Sequence, residues 1–98
     1  AALNRVALGT QTVSVWQDAR ELGKAAGEIA VALAGGTALD GVDGASKFST
    51  PGGNEVNAIL LEPMPINRDN LNAVVDAGWI SKDELCAGVP SGNAAVCD

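Results

Sequence analysis

Histidine and tyrosine are absent from this 98-residue chain, and one Phe and two Trp hold the aromatic share to 3%. Without histidine there is no Ser-His-acid or Cys-His arrangement and no His-ligated metal site. Basic residues are also few: six Lys and Arg stand against twelve Asp and Glu, for a net charge of -6. They are scattered, which excludes a nucleic-acid surface, because such surfaces gain affinity from clustered cations that release counterions. Long hydrophobic runs are missing as well. The most apolar uncharged stretch, residues 29–39, is far short of the roughly 20 residues that a membrane span needs. Gly23 and Gly27 have the GxxxG spacing of membrane helix pairs, but Arg20, Glu21, Lys24 and Glu28 share their segment. Neither GxxxxGK[ST] nor a strand followed by GxGxxG occurs, so no phosphate-cradling loop is expected. Asp40 and Asp43, in DGVDG, lack the alternating oxygen ligands and closing Glu of a calcium loop and read as a solvated turn. No catalytic constellation, metal or cofactor site is expected, and an enzyme is not expected.

What is present is a globular composition, 47% hydrophobic and 18% charged, with apolar residues that are mostly Ala, Val and Leu. Side chains this small pack closely and suit helices laid on a sheet. The length allows one domain at most. Cys86 and Cys97 bracket the flexible segment CAGVPSGNAAVC, which lets two thiols reach disulfide geometry. A disulfide is expected over two free thiols, and it favours an oxidising compartment. Ala1 opens the chain without Met and without a secretory segment, so the original N-terminus is expected to lie upstream.

Along the chain, residues 5–15 carry Val6, Leu8, Val13 and Val15 among Thr and Ser and predict a strand, weakest at residues 9–11. Asp18, with Glu21 three residues on, has the form of a helix N-cap. Leu22, Ala25, Ala26, Ile29, Ala30 and Leu33 then make one helical face, which Gly35 and Gly36 terminate. Gly23 and Gly27 weaken that helix, and close approach to a neighbouring backbone is the expected compensation. Residues 37–54 read as a loop with a short extended piece near 47–49. Ala58, Ile59, Leu60 and Leu61 are consecutive apolar residues, as in a strand of a parallel sheet buried on both faces. Pro63 and Pro65 end the ladder or take the chain out of the sheet. Asn67 caps a second helix with Leu71, Val74 and Val75 inward, Ile66 as a staple and Gly78 at its end. Ser81 and Glu84 cap a last short turn near Cys86. The fold class is α/β, with parallel strands covered by helices. Two strands make a poor sheet, so the pattern is that of part of a larger α/β protein.

The stretch GTQTVSVWQDARELGKAAGEIAVALAGG, followed downstream by LLEPMPINRDNLNAVVDAGWISKDEL, resembles the C-terminal portion of periplasmic sugar-binding proteins of bacterial ABC importers, and is most similar to the D-xylose-binding branch. The resemblance covers residues 5–85 and leaves out the Cys-bearing tail. It implies a fragment of a two-lobed periplasmic-binding-protein fold, with hinge crossovers joining the lobes and a sugar held between them. Residues 1–16 would belong to the C-terminal lobe, 17–62 to the N-terminal lobe, and 63–98 to the crossover back, a helix and the tail. Gln17 matches the first-crossover position where related xylose binders place a polar side chain, often Lys, and other pentose binders Gln. Its amide offers one acceptor and two donors for sugar hydroxyls. Trp16 is a second ligand candidate, through its ring face, against the alternative of core or hinge packing. Asp18 is expected to cap the helix, and Trp79 to cover a helix end. The implied partners are a monosaccharide, a pentose first, the remainder of the binding protein and a transporter permease, in the periplasm. Three rivals stand beside it: a ligand-responsive regulator, which would need a basic DNA-reading headpiece, an enzyme such as a small hydrolase, which would have to use carboxylates alone, and a self-contained interaction or adaptor domain.

Overall fold

Leu3, Val6 and Ala7 fall at i, i+3 and i+4, and that helical period shapes the N-terminus. In the computed structural model, which describes all of residues 1–98, α1 spans Ala2–Leu8 with Val6 and Ala7 buried. Gly9 ends it at φ +83°, a conformation that costs glycine nothing. The Gly9 N–H donates to Val6 O at 3.1 Å and the Thr10 N–H to Arg5 O at 3.0 Å, the paired bonds of a Schellman end. The strand predicted over residues 5–15 therefore shrinks to β1, Ser14–Trp16. Val6 and Leu8 do alternate, but burial of the helical face outweighs that pattern.

Four strands form two small ladders, and both are antiparallel. The expected parallel strands do not occur. β1 pairs with β4, Met64–Ile66, in the register Ser14↔Ile66, Val15↔Pro65 and Trp16↔Met64. Pro65 is tolerated because each strand of a two-stranded ladder keeps an open edge that needs no donor. β2, Ser46–Ser49, pairs with β3, Glu55–Ala58, across a turn made by residues 50–54. The Thr50 N–H donates to Asn54 O at 2.8 Å, and Thr50 Oγ1 accepts from the Asn54 N–H at 3.2 Å. So short a link permits only antiparallel pairing, since a parallel pair needs a crossover of a dozen or more residues. β3 stops at Ala58 because its partner begins at Ser46, and the run expected to be a doubly buried strand leaves the ladder there. Leu60 is 69% exposed.

The chain divides into two compact units, Ala1–Gln17 with Pro63–Asp98, and Asp18–Glu62. The first has a closed core of Val6, Ala7, Ile66, Leu71, Val74, Leu85 and Ala94. After β4 the chain turns through two asparagine bonds: the Asp69 N–H donates to Asn67 Oδ1 at 2.9 Å, and the Asn67 N–H to Asn70 Oδ1 at 2.8 Å. This sets Leu71 inward ahead of α3, Asn72–Asp76. α3 is shorter than a helix capped directly by Asn67, because those asparagine bonds hold residues 67–70 as a turn. Gly78 ends it as expected, its N–H donating to Val75 O at 2.9 Å and the Trp79 N–H to Val74 O at 3.1 Å. Ser81 caps α4, Lys82–Cys86, accepting from the Glu84 N–H at 3.2 Å. The tail closes with a 3-10 turn at Ala95–Cys97 and the Cys86–Cys97 disulfide, with S–S 2.09 Å.

The second unit contains α2, Ala19–Ala34, a 3-10 turn at Leu39–Gly41 and the β2–β3 hairpin. Its helix ends as Gly36 and Thr37 donate to Leu33 O and Ala32 O at 3.1 and 3.0 Å. Val42 is its single buried residue. The coarse class, a small mixed helix and strand protein, holds for both units.

Candidate functional site

Gln17 and Trp16 sit where the chain leaves the first unit. β1 ends at Trp16, which faces Met64, so the register carries Gln17 opposite Pro63. Those are the last and first residues of the first unit at its two chain crossings. The outgoing and returning strands are thus held side by side by the β1–β4 ladder. Trp16 is half-buried and packs against the core of the first unit. Gln17 is exposed, and its amide makes no hydrogen bond within the chain.

Asp18 behaves as expected of a cap. Its Oδ1 accepts the Arg20 N–H at 2.9 Å, and its carboxylate pairs with the Arg20 guanidinium at 3.3 Å. The carbonyl of Asp18 accepts from Leu22 N–H at 3.2 Å, the first turn of α2. These bonds occupy Asp18 in the helix start, whereas the Gln17 amide has no partner within the chain.

α2 carries no buried residue. Of the predicted face, Ala25 and Ile29 are half-buried, whereas Leu22 is 52% exposed and Ala26, Ala30 and Leu33 are also exposed. Ala25, Ile29 and Ala32, with Val42 and Ile59, line a cavity of about 220 Å³ rimmed by Glu21, Lys24, Glu28 and Asp43. Nothing lies within 4 Å of a Cβ placed on Gly23 or Gly27, so the close backbone approach expected at these glycines is not made by this chain. Val31 (75% exposed), Leu39, Phe48 and Val56 are open to solvent as well. The second unit has an apolar surface in excess of what its own residues cover.

Trp79 is exposed and follows the Gly78 turn, with its N–H on α3. Cys86 and Cys97 are joined, as expected. No group of three or more Asp, Glu or Cys side chains comes together that could hold a metal ion. No helix is long and apolar enough to cross a membrane.

Besides α1 and the β1–β4 pairing, three features escaped sequence reasoning: the pairing of residues 46–49 with 55–58, the cavity beside α2, and the two asparagines, Asn4 and Asn93, that bind α1 to the C-terminal segments. The hairpin had a signal in PGGN between two β-capable segments. The asparagines had none, since their partners are more than 80 positions away.

Comparison of the chain with family models, with curated proteins and with solved structures finds no match.

Proposed function

We propose that this chain is the C-terminal part of an exported, monosaccharide-binding protein that delivers its ligand to a membrane importer, with Gln17 contributing an amide to the sugar. The observation that carries this reading is the free Gln17 amide at a point where the chain leaves one unit beside the strand by which it returns. Planar amides suit adjacent sugar hydroxyls because one oxygen accepts while the nitrogen donates twice. Trp16 serves this site as its foundation: half-buried against the core, it fixes the end of β1. Its second role in the proposal is a ring-face contact with the sugar.

Three further observations support the reading. The second unit lacks a core of its own, as expected of a lobe whose remaining strands and helices lie elsewhere in a longer polypeptide. The open Cβ positions of Gly23 and Gly27 leave room for a backbone from that remainder. The disulfide is compatible with export to an oxidising compartment such as the periplasm. The finer fold that accompanies this function is the two-lobed periplasmic-binding-protein architecture with hinge crossovers, and the permease of the importer is the second partner.

The test is calorimetric titration of D-xylose, L-arabinose and D-ribose into the intact parent polypeptide and its Gln17→Ala variant. Loss of a buried amide contact leaves sugar hydroxyls unpaired, worth about 1–3 kcal/mol, so the best pentose should bind at least about fivefold more weakly. Equal affinity of the two proteins removes Gln17 from the site. The self-contained adaptor reading draws support from the closed core of the first unit. It requires the 98 residues to melt in one sharp transition that includes α2.

A further inference from the structure

The tail after α4 is tied to the protein by very little apart from its disulfide. Its backbone bonds are all local: Val89 N–H to Cys86 O, Asn93 N–H to Pro90 O, Cys97 N–H to Ala94 O and Asp98 N–H to Ala95 O. Asp98 folds the tail on itself, its carboxylate accepting from the Gly92 N–H at 2.8 Å and Ser91 Oγ at 3.3 Å. Towards the rest of the first unit it makes an exposed contact, Lys82 Nζ to Asp98 O at 3.4 Å, one anchor at its root, Asn4 Nδ2 to Ala87 O at 2.9 Å, and one further along, Asn93 Nδ2 to Leu8 O at 3.2 Å. Yet Ala94 is buried in the same cluster as Val6, Ala7 and Leu85, with Val89 and Val96 packed beside it. The tail is therefore a cover over the junction of α1 and α4, hinged at Cys86 and pinned at Cys97.

We propose that this cover is a redox-sensitive latch: while Cys86 and Cys97 are joined it seals the apolar surface of Val6, Ala7 and Leu85, and on reduction it swings away while β1, β4 and α3 stay folded. The reductant is a dithiol. One of its thiolates attacks either half-buried sulfur, the Cys86–Cys97 bond breaks, a mixed disulfide forms, and the departing cysteine thiolate takes a proton. The second reductant thiol then attacks the mixed disulfide and leaves as the reductant's own disulfide, freeing the second cysteine as a thiol. Two electrons and two protons pass to the protein. Once the bond is cut, the loop must close without a covalent constraint, which for this length lowers the closed population by about 100-fold. Residual hold comes from Ala94 and the Asn93 bond. The inference is independent of the sugar ligand, because it uses neither Gln17 nor Trp16.

Amide hydrogen exchange of the full chain, with and without dithiothreitol and with a thiol count on each sample, tests it. The result expected is two thiols per chain, exchange about 100-fold faster at Val89, Asn93 and Cys97, and unchanged protection at Ala77, Gly78 and Trp79. New binding of an apolar dye should accompany the change. Tail amides that keep their protection with two thiols counted overturn the proposal. So does a bond that resists dithiothreitol under native conditions, or loss of protection across α3 and β4 together with the tail, which would make the disulfide a staple of the whole unit. Reduction acts on protein that is already folded, so the test stands even if a Cys86→Ser, Cys97→Ser double variant fails to fold.

Discussion

Gly27→Ala and Gly23→Ala should change α2 in opposite directions in two settings. Both glycines are interior to a 16-residue helix, both are exposed, and no atom approaches within 4 Å of the Cβ that alanine would add. In the 98-residue chain the substitution therefore meets only the intrinsic preference of the backbone, and each glycine costs a helix about 0.8–1 kcal/mol relative to alanine. That free energy is about a fivefold change in the opening equilibrium of α2, or on the order of 25-fold for the double variant if the two sites add. Amide exchange along residues 19–34 reads this helix residue by residue and is the suitable assay. Protection should rise by these factors. In the longer polypeptide, where a neighbouring backbone is proposed to lie against the same glycines, the added methyl groups meet packed atoms and should cost about 1–3 kcal/mol as overpacking. Unchanged or lower protection in the isolated chain refutes the argument from open space. A gain of equal size in the parent protein refutes the proposed neighbour.

Three further substitutions probe the units separately. Asn4 Nδ2 donates to Leu85 O at 2.8 Å and Ala87 O at 2.9 Å, holding α1 on the end of α4; Asn4→Ala should destabilise the first unit by about 2 kcal/mol, with two bonds worth roughly 0.5–1.5 kcal/mol each. Urea unfolding followed by tryptophan fluorescence reads this as a midpoint lower by about 2 M for a slope near 1 kcal/mol/M. Leu85 is fully buried in the core cluster, and Leu85→Ala should cost about 2–5 kcal/mol by the same assay, enough to unfold much of the unit. Asp18→Ala removes the N-cap of α2 and should cost about 1 kcal/mol of helix stability, seen as faster amide exchange in the first turn.

Local chemistry was the legible part of the sequence. Asp18, Ser81, Gly36 and Gly78 mark helix ends because capping depends on atoms two to five residues apart, and all four act as such in the structure. The disulfide was legible for the same reason, with only a flexible loop between its cysteines. α1 was misread because Val6, Leu8, Val13 and Val15 invite alternation, although Leu3, Val6 and Ala7 followed by Gly9 carried the helical alternative. The direction of the strands was not legible. Consecutive apolar residues such as those at 58–61 signal burial on two faces only when partners exist, and here Leu60 and Leu61 have none. Pairing of Trp16 with Met64 joins segments almost fifty residues apart, and nothing local encodes it. Gln17 could be singled out by its place after a strand, but its freedom from internal bonds is a fact of the fold.

The central proposal is that Gln17 belongs to a monosaccharide site in a protein larger than this chain. The most direct measurement is calorimetric titration of the intact parent polypeptide and of the isolated 98 residues with D-xylose and two other pentoses. The account predicts saturable, stoichiometric binding of at least one pentose by the parent and weak or no binding by the isolated chain. Absence of binding by the parent, or micromolar binding by the 98 residues alone, contradicts it.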